Sequence, residues 1–145
     1  MIVPDVNLLL YATIDAFAEH AAARRWWEER LNGDAEIGLA GAVLFGYIRI
    51  ATNPRVFDPP LPVDDCLARV ESWLSRPQVS FLLPGPRHIE IAFRLLRELG
   101  VAANLTTDVQ LAALAIEYQA EIHSNDADFA RFPQLRWIDP LAARR

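Results

Sequence analysis

Apolar and polar positions alternate along this chain in blocks that switch between strand and helix spacing. Met1 to Val3 form an apolar run that stops at Pro4-Asp5-Val6-Asn7 and resumes as Leu8-Leu9-Leu10-Tyr11-Ala12. A short buried strand followed by a helix from about Leu8 accounts for that pattern and delivers Asp5 to the strand's carboxyl end. From Ala16 to Leu31, Phe17, Ala21, Trp26 and Leu31 recur at helical spacing among Glu19, Arg24, Arg25 and Glu28, which predicts an amphipathic helix ended by Asn32-Gly33-Asp34.

Further along, a strand over 36–39 and a helix from about Ala42 to Thr52 precede Asn53 to Pro62, a proline-dense loop. A helix from Asp64 to about Leu74 and a strand over 79–83 follow. Arg87 to Leu99 is helical, with Gly100 as its stop, and Thr106-Thr107-Asp108 opens another helix reaching Tyr118. Short strands at 121–123 and 135–138 bracket Ser124-Asn125-Asp126-Ala127-Asp128, and the chain ends in an arginine-tipped tail at Arg144 and Arg145. Strands alternating with helices predict an α/β fold around a mainly parallel sheet.

Composition narrows the function classes. The chain has 145 residues, about half of them apolar, which suits a single domain over 1–145. Its one cysteine, Cys66, excludes an intrachain disulfide and a thiolate metal site, as expected for a reducing compartment. There is no signal-peptide pattern and no run long enough to span a bilayer, so a soluble, cytoplasmic protein without membrane contact is expected. All fourteen basic residues are arginine, which excludes any mechanism that needs a lysine. A net charge of −5 argues against nucleic-acid binding by bulk attraction, while leaving room for a local arginine patch.

The candidate chemistry is carboxylate chemistry. Asp5, Asp108, Asp126 and Asp128 all fall where the carboxyl edge of the sheet is expected, and oxygen ligands of this kind suit Mg²⁺ or Mn²⁺ and phosphoryl chemistry. Each also has an ordinary use: Asp5 or Asn7 as a helix cap, Asp108 as a first-turn acid, Asp126 as the cap of the 127–132 turn. His20, His88 and His123 lack ligand spacing and read as packing or surface residues. Trp26, Trp27 and Trp73 read as core or subunit contacts, and Glu28, Glu29, Glu98 and Glu117 as solvated helix faces.

Four segments together, 2–12, 47–57, 105–113 and 124–132, resemble the PIN-domain VapC toxins of bacterial toxin–antitoxin systems, across nearly the whole chain. The resemblance implies a three-layer α/β/α domain and an endoribonuclease dependent on Mg²⁺, or alternatively Mn²⁺. It also implies a homodimer held inactive by a cognate VapB-type antitoxin. Asp5 and Asp108 match the family's metal-binding acids, Asp126 and Asp128 its terminal acidic cluster, and Asn7 the residue orienting the first acid. Asp5, Asp108 and Asp126 are thus the expected metal ligands, with Thr107 and Ser124 as further orienting residues. Gly46 stands where the family often has another acid, which puts a full two-ion site in doubt.

On this reading RNA phosphodiesters are hydrolysed by a metal-activated water, with Asp126 or Asp128 orienting it. Arg49 and Arg55 are candidates to hold phosphate, their alternative role being helix-end ion pairs. Two rival readings stand beside it. One is a PIN scaffold that binds RNA or protein with little or no cleavage, which Gly46 makes credible. The other is an aspartyl phosphotransfer phosphatase, disfavoured because Asp5-Val6-Asn7 lacks a second aspartate and no lysine exists to hold the phosphoryl group.

Overall fold

The computed structural model describes residues 1–142, so the arginine-tipped tail lies outside the described residues. Five strands, β1 (Ile2–Pro4), β2 (Ile37–Ala40), β3 (Val79–Leu82), β4 (Glu121–His123) and β5 (Arg136–Ile138), form one sheet in the order β3-β2-β1-β4-β5. Every pairing is parallel: Ile2 lies opposite Ile37 on one side and Glu121 on the other, Ile37 opposite Val79, and Glu121 opposite Arg136. The inner strands β1 and β2 are buried along their whole length, as a parallel sheet covered on both faces requires.

Six helices supply the crossovers: α1 (Val6–Thr13), α2 (His20–Leu31), α3 (Gly41–Ala51), α4 (Val63–Leu74), α5 (His88–Leu99) and α6 (Thr106–Glu117). Right-handed crossovers from β1 to β2 to β3 place α1 to α4 on one face, and the return from β3 to β4 places α5 and α6 on the other. The packing agrees, with α1 against α2 and α3 on one side and α5 against α6 on the other. This is the expected three-layer α/β/α architecture. Strand order reverses between β1 and β4, and in such sheets the crevice beyond the carboxyl ends of the two diverging strands is the natural ligand site.

Several element bounds differ from expectation for identifiable reasons. α1 begins at Val6, earlier than Leu8, because Asp5 accepts the Val6 amide at 2.8 Å and starts the helix at once. The helix expected from Ala16 begins only at His20. Residues 14–19 form a turn in which Phe17 packs edge-on against Tyr11 and Phe57, and His20 Nδ1 bonds the Tyr11 carbonyl at 2.7 Å. Gly100, at φ +72°, ends α5 in the left-handed conformation its position predicts.

Trp26, Trp27 and Trp73 belong to the core, Trp27 stacked on Trp26 and edge-on to Trp73. Glu117 is not a solvated face. Its carboxylate accepts the backbone amides of Gly85 and Arg87, both at 2.8 Å, and ties the β3–α5 loop to α6.

Candidate active site

At the reversal point, β1 and β4 deliver Asp5 and Ser124 side by side. The Asp5 amide donates to the His123 carbonyl at 2.9 Å, which locks the two strand ends together. Ser124, fully buried, donates its hydroxyl to Asp5 Oδ2 at 2.7 Å and accepts the Asp126 amide at 3.0 Å. Asn7 Nδ2 reaches the same hydroxyl at 3.4 Å, while Asn7 Oδ1 is buried without a partner among the described residues. The orienting roles expected of Asn7 and Ser124 thus have a geometry. Thr107 has none: it is exposed on the first turn of α6, and its hydroxyl makes no hydrogen bond to a described residue.

Across the crevice, α6 presents Asp108 from its first turn, and the 3₁₀ turn Ala127–Arg131 presents Asp126 and Asp128. One carboxylate oxygen from each of Asp108, Asp126 and Asp128 falls within 4.8 Å of the others. Asp5 stands outside this tight triad, with its Oδ1 on the Val6 amide and its Oδ2 on Ser124. The sequence expectation of Asp5, Asp108 and Asp126 as ligands therefore shares two residues with the tight group. Asp126 also accepts the Asp128 amide at 2.9 Å, which fixes the turn, and Asp128 lies 3.5 Å from Arg131 at the surface.

The electrostatics register the crowding. Burial, then the charges of Asp126, Asp5 and Asp128, push the Asp108 carboxyl up from 3.8 to about 6. Burial also raises Asp5, against the lowering effect of the Ser124 hydroxyl and the Val6 amide, with Asp126 adding to the rise. Carboxylates held together at such a cost, beside an orphaned buried oxygen on Asn7, make a donor set suited to a hard divalent cation.

Gly46 lies on α3 against the start of α1. A Cβ there would meet only Val6 Cγ2, at 3.6 Å, so this position, beside the residue that follows Asp5, is open rather than filled. Arg49, in the last turn of α3, and Arg55, in the following loop, are exposed, and neither guanidinium pairs with a described residue. Sequence reasoning passed over Tyr11. Its half-exposed phenol is raised first by burial and then by Glu19, Asp5 and Asp126, which places it within the field of the cluster. Its position on the helix launched by Asp5 was the available signal.

The histidines behave differently from one another. His123 is buried against Trp26, whose Nε1 donates to His123 Nδ1 at 3.2 Å. His20 is held by the Tyr11 carbonyl, and His88 is half-buried with Nδ1 unpartnered among the described residues. None joins the acidic triad.

Known proteins resemble this chain in sequence and in fold. The family description "PIN domain" matches residues 2–135. Ribonuclease VapC33 of Mycobacterium tuberculosis is 57% identical over 141 residues, covering 97% of this chain and 99% of that protein. Ribonuclease VapC37 of the same organism is 39% identical over 142 residues, covering 98% and 99%. Among solved structures, VapBC2 from Rickettsia felis bound to a promoter DNA fragment superposes with a TM-score of 0.69 at 17% identity, covering 95% of this chain and 98% of that one. Mycobacterium tuberculosis VapC20, described as a Sarcin-Ricin loop cleaving toxin, gives 0.65 at 16% identity, covering 94% and 99%. At those identities the structural likeness speaks to the fold.

Proposed function

The chain belongs to the PIN-domain family and, within it, to the VapC proteins, and from that premise we propose that it is the endoribonuclease toxin of a VapBC-type module. The whole span acts as a single nuclease domain that hydrolyses RNA phosphodiester bonds with a divalent cation, Mg²⁺ or Mn²⁺. The observation that carries this reading is the convergence of Asp108, Asp126 and Asp128 beside Asp5 at the point where the strand order reverses.

When bound, the ion makes a nearby water more acidic and offsets the charge that builds on the phosphoryl oxygens. The chain's own residues do the rest. Asp108 and Asp126 would hold the cation, and Asp128 completes the set or orients the attacking water. Asp5 is aimed by the Ser124 hydroxyl and the Val6 amide, which partly offset the effect of its burial. Asn7 Oδ1 is free to accept a hydrogen bond from a water in the cleft. Arg49 and Arg55, unpaired at the surface, suit phosphate, since guanidinium matches two of its oxygens at once.

Two partners follow from the same reading. A VapB-type antitoxin is supported by the likeness to VapC chains solved within VapBC complexes. An antitoxin arginine fits an acidic cleft as a cation does, so partner and ion compete. A homodimer is expected from family membership. The chain has no described helix long and apolar enough to cross a membrane, in keeping with cytoplasmic action. A second reading, a scaffold that binds RNA or protein without cutting, is favoured by Gly46 alone.

Calorimetric titration with Mn²⁺ tests the metal centre apart from catalysis. The wild type binds, and Asp108→Ala and Asp126→Ala each lose most of that affinity while retaining native circular dichroism. Unchanged Mn²⁺ binding in both variants would remove the acidic triad as the metal site.

A further inference from the structure

A cavity of about 890 Å³ opens between the C-terminal end of α1, the start of α2, the loop after α3, and α4. Arg69 of α4 lines it, half-buried, and is held in place by Tyr47 Oη at 3.1 Å and the Thr13 carbonyl at 3.5 Å. Tyr47 Oη is itself 2.8 Å from the Thr13 hydroxyl, so the guanidinium is mounted on an ordered frame. Asp15 and Asp58 also line the cavity, yet no carboxylate among the described residues comes within ion-pair distance of Arg69. The other arginine there, Arg24, is already committed to Glu28 at 2.8 Å. A partly desolvated, prepositioned guanidinium without an ion-pair partner is a standing donor to an oxyanion.

The cavity is also joined to the acidic cluster by aromatic rings. Tyr11, within the field of Asp5 and Asp126, packs edge-on against Phe17 at 4.9 Å between centroids, and Phe17 packs against Phe57 at 5.9 Å. Phe57 and Val56 form part of the cavity wall, and the unpaired Arg55 precedes them on the same loop. The tyrosine hydroxyl has no hydrogen-bond partner among the described residues. Aromatic rings beside exposed arginines form the usual apparatus for single-stranded nucleic acid, where bases stack and guanidinium takes the backbone.

We propose that this cavity seats a nucleotide of the single-stranded RNA flanking the cleaved bond, its phosphate on Arg69 and its base against Phe57, which Phe17 backs. The assignment rests on the ribonuclease reading for its choice of ligand. It makes Arg69 and Phe57 substrate-binding residues outside the acidic cluster, and Tyr47 and Thr13 the frame that positions Arg69.

The test is fluorescence anisotropy with a labelled single-stranded RNA oligonucleotide in Mg²⁺, using an Asp108→Asn background to keep the RNA intact. Arg69→Gln weakens binding about tenfold and lowers the slope of log affinity against log salt by about 0.7, the signature of one lost phosphate contact on a single strand. Arg69→Lys keeps the slope. Phe57→Ala weakens binding roughly fivefold with the slope unchanged. With Asp108 intact, both losses appear in KM and leave kcat near wild type. RNA affinity indifferent to Arg69 and Phe57, in a protein that cleaves, overturns the assignment and leaves the nuclease reading in place. Arg69-dependent RNA binding without cleavage by the Asp108-intact protein does the reverse. Variants that bind RNA normally but lose a protein partner assign the cavity to a peptide and overturn it too.

Discussion

Replacing Asp108 by asparagine should make the metal-free protein more stable while destroying its metal site. In the folded chain the Asp108 carboxyl titrates near 6 against an ordinary 3.8, so the fold binds its proton more tightly than the unfolded chain does. Such a group destabilises increasingly as pH rises from about 4 through about 6, and the penalty is complete above that. The gap between the two values corresponds to about 3 kcal/mol for a fully buried group. Asp108 is only half-buried, and solvent screening reduces the figure to about 1 kcal/mol. Asparagine keeps the size and removes the charge that burial, and then Asp126, Asp5 and Asp128, disfavour. In chelator at pH 7.5 the variant should melt about 3 °C above wild type for a domain of this size. At pH 4 most of the difference should be gone, because the wild-type carboxyl is then protonated in the folded state and partly so in the unfolded one. Added Mn²⁺ should reverse the order by stabilising the wild type alone. Differential scanning calorimetry at the two pH values decides the matter. A variant less stable than wild type at pH 7.5 in chelator, or one whose gain persists in full at pH 4, would refute the argument that a buried carboxylate crowded by like charges marks this site.

Ser124→Ala removes the hydroxyl that lowers the Asp5 carboxyl and orphans the Asp126 amide. It should cost about 1–3 kcal/mol by urea denaturation and shift the acid limb of RNA cleavage to higher pH, whereas an unmoved acid limb would show that Asp5 needs no such partner. Burial, opposed by Glu121, holds the His123 imidazole below its ordinary 6.5, and the fold therefore contributes stability above that value that is lost as pH falls beneath it. Trp26→Phe, which removes the donor to the neutral ring, should accordingly cost about 1 kcal/mol at pH 7, a cost that shrinks only once the pH is low enough for the folded imidazole to take up its proton, read from urea midpoints across a pH series. Gly46→Glu meets ordinary contact at its Cβ and should fold, tighten Mn²⁺ binding in calorimetry and destabilise the metal-free protein; unchanged affinity would show that α3 does not direct this position into the cleft.

What could be read from the sequence was local. Asp5, Asp108 and Asp126 each follow a strand or open a helix, so short-range chemistry alone put them at the sheet's carboxyl edge, and the parallel order of the strands followed from their alternation with helices. What could not be read were the partnerships across long separations. Trp26 and His123 are 97 residues apart, and Glu117 reaches back 32 residues to Gly85. Nothing in the spacing of Arg69 announces Tyr47 as its mount. Helical periodicity from Ala16 was overridden where Phe17 found Tyr11 and Phe57, a tertiary contact that outweighs local pattern. Glu117 departs from expectation because a charge in the last turn of a helix usually faces water, whereas here two loop amides claim it.

The most direct test of the central claim is cleavage of cellular RNA by purified wild type, Asp5→Ala and Asp108→Ala, each in Mn²⁺, in Mg²⁺ and in chelator. The account predicts discrete fragments from the wild type with metal, intact RNA in chelator, and intact RNA from both folded variants under every condition. Fragments of the same pattern from either variant, or from wild type in chelator, would contradict it.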